Sequence, residues 1–274
     1  MKLIYNKVFL EHNTGNHPEN KERLKHFFKL PDTKIESGEK YLRLAHSQKY
    51  IDIVKSASEK EWFLDSDTQL SKESYKVACY AVGATIMASE KNAFALVRPP
   101  GHHAMSDQGM GFCIFNNMAI AALHLLENKK RVFVLDIDVH HGNGTEQILL
   151  NKKNLIYCSL HQIYSYPGSG FNSHNNCINI PLPLGTEDKE YIEKIDRFVK
   201  PRLEEFNPDI VGVSAGFDSY YKDFRYMNPI VGFKLTEKSY KEIKTMINGY
   251  DHFFVLEGGY NPESVKEGVG VFTK

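Results

Sequence analysis

No apolar run in these 274 residues approaches the roughly 20 that a membrane-spanning helix needs, which argues against a membrane protein. Nor does one sign of charge dominate. The 34 Lys and Arg balance 34 Asp and Glu, so the chain lacks the basic stripe of a nucleic-acid or anionic-membrane binder. Cysteine is sparse and scattered. Cys79, Cys113, Cys158 and Cys177 form no CxxC pair, and free buried thiols in a reducing cytosol are the expectation. Internal repeats, low-complexity tracts and Pro/Gly/Ser linkers are also missing, which favours a single domain over 1–274. The opening "MKLIYNKVFLEHNTG" breaks its short apolar segment with charge and His too early for a signal peptide, so a cytoplasmic location is expected.

What is present is a regular alternation. Hydrophobic residues make up 42% of the chain, ample for a core. β-rich runs at 2–5, 93–97, 131–139, 155–161, 177–182, 209–216 and 252–258 alternate with helical stretches at 19–29, 47–60, 71–90, 117–128, 188–206 and 236–248. Pro201 is expected to kink or interrupt the fifth of these helices. Near-continuous Val/Ile/Leu strands between helices predict a parallel sheet covered on both faces, with the ligand site beyond the strands' carboxyl ends. Five strand ends do carry His, Asp, Tyr or glycine turns: "RPPGHHA", "DIDVHHGNG", "SLHQIYSYPGSG", "SAGFDSYY" and "LEGGY".

The stretch "VLDIDVHHGNGTE" (134–146) carries an apolar strand into two carboxylates and two imidazoles. Burying such groups unpaired costs about 2–7 kcal/mol each even for merely polar ones, so a bound metal ion is the natural compensation. Strand alternation puts Asp136, Asp138 and His140 on one side, which lets Asp138 and His140 hold one ion together. Asp218, ending "VGVSAGFD", is the natural third ligand. Three protein ligands leave a position for water or substrate, and an Asp2His set keeps the ion Lewis-acidic enough for hydrolysis. In "PPGHHA", a Pro-Pro-Gly turn allows adjacent His102 and His103 to face one pocket. Histidine serves as acid or base at neutral pH, and Asp136 is a candidate partner for one of the pair. Tyr260, after two glycines, is placed to donate to an oxyanion, although such a tyrosine taken alone is more often a packed aromatic.

Together, "RPPGHHA", "GFCIFNN", "LDIDVHHGNGTE", "SLHQ…YPGSG", "SAGFD" and "LEGGY", in this order, resemble the zinc-dependent histone deacetylase family, in particular its bacterial, class II-like branch that includes acetylpolyamine amidohydrolases. "HNTGNHPENKERL" and "AHSQKYI" extend the resemblance over nearly the whole chain. It implies an arginase/deacetylase-like α/β fold, a three-layer αβα sandwich with a mostly parallel sheet of about eight strands. It implies one Zn2+ on Asp138, His140 and Asp218, and a potassium ion near Asp136 and Ser159. His103 would be the main general base and acid, His102 its electrostatic companion paired to Asp136, and Tyr260 the oxyanion donor. Gly111, Phe112 and Tyr166 would flank a narrow channel for an acylated lysine or an acylated polyamine or other small amine. The implied reaction is amide hydrolysis by metal-activated water, releasing acetate.

The chain also departs from the family pattern. Asn143 stands where many members carry Asp, so it would orient His103 through a neutral hydrogen bond. The stretch 219–234 is longer than the usual connection, and its Tyr220, Tyr221, Phe224, Tyr226 and Met227 would rim the site or pack on themselves. Asp223 there would either meet a cationic substrate or simply be solvated. Two other functions compete. An arginase- or agmatinase-type manganese ureohydrolase needs two metals and further bridging ligands, and a non-catalytic acyl-lysine binder would have no use for both histidines and Tyr260. Substrate and oligomeric state, including a homo-oligomer, stay open.

Overall fold

The computed structural model describes residues 1–224 and 231–274. Among these, seven strands build one sheet: β1 (Leu3–Ile4), β2 (Phe94–Ala95), β3 (Val132–Asp136), β4 (Leu155–Gln162), β5 (Cys177–Leu182), β6 (Ile210–Ala215) and β7 (Asp251–Leu256). Their order is β1-β2-β7-β6-β3-β4-β5, and every neighbouring pair is parallel. Parallel neighbours cannot be joined by tight hairpins, so the intervening segments must cross over a face of the sheet.

Helices supply many of these crossings: α1 (Gln48–Glu59), α2 (Ser74–Lys91), α3 (Asn117–Glu127), α4 (Asn143–Leu149), α5 (Asp188–Lys194), α6 (Lys200–Phe206), α7 (Tyr221–Phe224), α8 (Glu237–Ile247) and α9 (Pro262–Thr273). The side chains of β7 show how two faces are filled. A Cβ on Gly212 of β6 would meet Phe253 at 2.7 Å and the sulfur of Met118 on α3 at 2.9 Å, so this face is packed by α3. The next side chain, Phe254, turns the other way and lies 4.5 Å from Phe272 of α9. Alternation along one strand thus sorts side chains into two cores, giving the three-layer arginase/deacetylase-like arrangement. All five residues of β3 are buried, and each large aliphatic or aromatic side chain so placed contributes about 1.5–3 kcal/mol.

Strand positions follow the apolar runs closely, and three local expectations are decided by the structure. Residues 21–27 wind as a tight 3-10 turn capped by Asn20, whose side chain accepts from Glu22 N at 2.9 Å, in place of an α-helix over 19–29. The run 188–206 is interrupted just ahead of Pro201 without ending there. A wide turn at Ile195–Val199, with Lys200 N bonded to Ile195 O, precedes it, and Pro201 falls in the first turn of α6, where its missing N–H costs nothing. Tyr220 and Tyr221 do not rim the site. Tyr220 is buried and stacks on Tyr240 at 5.7 Å, with Tyr221 5.0 Å away. Tyr226 and Met227 lie outside the described residues. All four cysteines are buried and free. Among the described residues, no helix is long and apolar enough to cross a membrane.

Candidate active site

β3 ends at Asp136, and Ile137 N adds one last bond to Ser214 O at 3.0 Å. The chain then bends away at the carboxyl edge, with Val139 O still accepting from Gln162 N at the end of β4 at 2.8 Å. Asp138 Oδ1 lies 3.0 Å and Asp218 Oδ2 3.1 Å from His140 Nδ1. The outer oxygens are tied down. Gly258 N donates to Asp138 Oδ2 at 2.8 Å, and Val139 N to Asp218 Oδ1 at 3.0 Å. Donor atoms of Asp138, His140 and Asp218 all fall within 4.8 Å of one another. Burial alone would depress His140, yet its hydrogen bonds to Asp138 and Asp218 carry it up to about 10. Burial and the neighbouring Asp138 push Asp218 up, while Asp138 overcomes its own burial through His102 and His140 and sits well below the usual carboxylate range. Two carboxylates sealed around one imidazole need a cation, and three convergent O, O and N donors fit a divalent metal with open positions.

The two histidines face different partners. Gly101 lets the turn press against α3's N-terminus, since a Cβ there would meet Asn117 N at 2.6 Å. His102 Nδ1 lies 3.1 Å from Asp136 Oδ2, which also accepts from Tyr157 Oη at 3.0 Å. His103 Nδ1 lies 2.8 Å from Asn143 Oδ1 in the first turn of α4. An amide oxygen only accepts, so His103 carries its proton on Nδ1 and leaves Nε2 as the free base. Burial would lower both rings. Asp138 and Asp136 outweigh it at His102, lifting it to about 10, whereas His102 and His140 add to it at His103 and hold that ring neutral. The ring centroids are 4.0 Å apart, so one imidazolium keeps its neighbour a base.

Tyr260 is buried, and burial reinforced by Asp218 keeps its phenol protonated. Its turn is held from two directions that the sequence did not reveal. Asp223 is not a solvated loop residue. It is buried, with Oδ1 and Oδ2 accepting from Tyr260 N at 3.0 and 3.1 Å, and Oδ2 accepting from Asn261 N at 2.9 Å. Arg23 Nε donates to Gly259 O at 2.6 Å and Nη2 to Glu257 O, while its guanidinium carbon lies 5.2 Å from the Tyr260 ring centroid. Arg23 is paired with buried Glu19 at 2.8 Å, and Glu19 also takes Arg98 at 2.6 and 2.8 Å. Arg98 directly follows an apolar strand, as Asp136 does, which is the signal that could have found it. Glu19 and Arg23 stand four apart, a spacing usual for an exposed pair. Their full burial is therefore not written in it.

Asp218, His103, His140 and Tyr260 converge on a cavity of about 300 Å3, with Gly111, Phe112, Tyr166 and Val231 among its walls. Gly111 has φ 55°, and a Cβ there would strike the His103 ring at 2.6 Å. Phe112 has φ 69°, a conformation that costs about 1–3 kcal/mol for a bulky residue. Phe112 N donates to Thr68 Oγ1 at 3.0 Å, which holds the bend and sets the ring 5.9 Å from Tyr260. Tyr166, partly exposed, stands 5.0 Å from His103 on the opposite wall. Ser159 is buried opposite Asp136 in the β3–β4 register, its Oγ 2.9 Å from His161 Nδ1.

Comparison with known proteins accords with this geometry. A histone deacetylase domain model matches residues 16–274. A "probable deacetylase" of Archaeoglobus fulgidus is 33% identical, over 95% of this chain and 81% of that protein. An uncharacterized Synechocystis protein is 37% identical over 97% and 96% of the two chains. The crystal structure of the HDA15 HD domain superposes with a TM-score of 0.90 at 30% identity, covering 99% of this chain and 89% of that one. An acetylpolyamine aminohydrolase from Burkholderia pseudomallei shares the fold, with a TM-score of 0.87 at 24% identity over 99% and 97%. With the domain matched over most of its length and its relatives aligned nearly end to end, the chain belongs to the histone deacetylase family.

Proposed function

We propose that this chain is a zinc-dependent amide hydrolase that removes acetyl or other acyl groups from an acylated lysine or an acylated polyamine or other small amine. The observation that carries the reading is the convergence of the Asp138–His140–Asp218 donor set, a neutral His103 and a protonated Tyr260 on one cavity. Zinc held by those three residues supplies Lewis acidity to the amide carbonyl and to water.

The chain's own groups account for the proton movements. His103 Nε2 takes a proton from the attacking water, because its Nδ1 is committed to Asn143. Tyr260 Oη donates to the carbonyl oxygen as it gains charge. His103 then returns the proton to the departing amine. His102, charged and anchored by Asp136, keeps His103 from acquiring a resting proton. Gly111, Phe112 and Tyr166 hold an extended acyl-amine arm between two aromatic walls and limit water entry. Asp136 and Ser159, neighbours in register and both buried, are the residues we assign to a potassium ion.

The test is acetate release by the zinc-loaded protein from a panel of acetyl-lysine peptides and N-acetylated polyamines. Turnover that disappears on chelation and returns with zinc supports the reading, and the preferred half of the panel names the substrate class. A zinc-loaded protein inert on both halves, but binding the substrates, replaces it with the acyl-lysine binder.

A further inference from the structure

Glu257 is the residue through which both arms of the site are joined. It directly follows β7, and its amide bonds to Ala215 O at 3.1 Å, so its backbone extends the sheet. Its side chain is wholly buried. Oε2 accepts from Gly101 N at 2.7 Å and from His102 N at 3.1 Å, and Oε1 accepts from Ser214 Oγ at 3.0 Å. Its carbonyl receives Arg23, the next amide holds Asp138 Oδ2, and Tyr260 stands three residues further on.

Such a carboxylate is costly. Enclosing an ionised carboxyl takes several kcal/mol unless partners compensate, and burial, only partly offset by His102, lifts Glu257 to about 7. The donors that meet it are two amides and a hydroxyl. An apolar side chain of the same size would avoid the cost but would leave the Gly101 and His102 amides unpaired inside the protein. What Glu257 provides is therefore reach: two acceptor positions that pin the Pro-Pro-Gly-His-His turn to the end of β7.

We infer that Glu257 is a positioning residue for the proposed hydrolysis, its carboxylate fixing the His102–His103 turn to the strand end that carries Tyr260 and so setting the distance between imidazole and phenol. The inference rests on the functional reading given above. A rival role is open to the same residue, namely a negative charge that serves His102, and a crossed pair of variants separates the two. Glu257→Gln keeps the reach and an acceptor oxygen, with Nε2 free to donate to Ser214 Oγ, and removes the charge. Glu257→Asp keeps the charge and withdraws it by one methylene.

Positioning predicts that Glu257→Asp lowers kcat on the order of 100-fold with KM changed less than about threefold, while Glu257→Gln lowers kcat by no more than about tenfold. Hydrogen exchange of the Gly101 and His102 amides, followed in the same folded variants, stays slow in the wild type and in Glu257→Gln and quickens in Glu257→Asp. The reverse order of activities, or equal losses in the two variants, overturns the assignment. So do fast-exchanging Gly101 and His102 amides in the wild type. The exchange experiment needs no substrate. If the wild type hydrolyses nothing in the panel yet shows the expected exchange pattern, the functional reading fails and the anchoring of the turn stands.

Discussion

Tyr260 is the residue whose chemistry can be removed with least disturbance. It is buried beside Phe112 and under Arg23, so Tyr260→Phe deletes one hydroxyl and leaves the ring packing in place. Loss of an oxyanion donor should lower kcat on the order of 100- to 1,000-fold, with zinc content and thermal midpoint unchanged. Asp223→Ala acts on the same tyrosine from behind. It strands the Tyr260 and Asn261 amides, each at about 1–3 kcal/mol, and should cost both stability and turnover. Calorimetry beside kinetics reads the two losses. The candidate residues were legible in the sequence because their types are unusual at strand ends: Asp138, His140, Asp218, His102, His103. Their supports were not. Asp223 and Arg23 are charged residues whose burial depends on partners far away in sequence, and nothing local distinguishes them from solvated ones, whereas Glu257 directly follows an apolar run, the same signal that Arg98 carries.

At the scale of elements, the site is built from strand ends held at fixed spacing by the sheet. Glycines at those ends let backbone approach carboxylate. A Cβ on Gly258 would press against Asp218 and would lie 2.6 Å from Asp138 Oδ2. Gly258→Ala should therefore spread the two carboxylates and weaken metal binding by 10-fold or more, on the order of a lost orienting partner, as measured by metal competition titration. Wild-type affinity in that variant would show that the strand end has slack the packing does not suggest. The strand positions were readable because short apolar runs bounded by turn signals fit buried strands in such an alternating chain. The alternation rule carried Asp136, Asp138 and His140 to one side, but β3 stops at Asp136, and the bend beyond it sends Asp136 to His102 and the other two to the candidate metal position. The wide turn that absorbs Pro201 was equally hidden, since a proline in a helical pattern reads the same whether the helix breaks or adjusts.

For the whole molecule, buried neutral histidines make stability depend on pH. Burial holds His12 and His46 down to about 4, against an ordinary value of 6.5. Between those limits the unfolded chain takes up protons that the folded chain refuses, so stability is full above pH 6.5 and declines as pH falls towards 4. Glu257 and Asp223, lifted to about 7 by burial, pull the other way, which makes a comparison of variants more informative than the total. His46 lies 3.0 Å from Met105 O and accepts from Asn116 N at 2.9 Å. In His46→Gln, the unfolding free energy lost between pH 7 and pH 5 should be smaller by about 2 kcal/mol, measured by urea titration. An unchanged slope would mean that His46 titrates normally in the folded state.

The Arg23 contacts have a consequence in time as well as in space. Arg23 and the carbonyls it holds are separated by 236 and 234 positions. A growing or refolding chain can form β3, β4 and the Asp138–His140 bend long before residue 23 meets residues 257 and 259. Long-range closures of this kind come late. Metal affinity should therefore return before turnover when the protein is refolded from denaturant, the Arg23 closure being the last step before the Tyr260 turn is held.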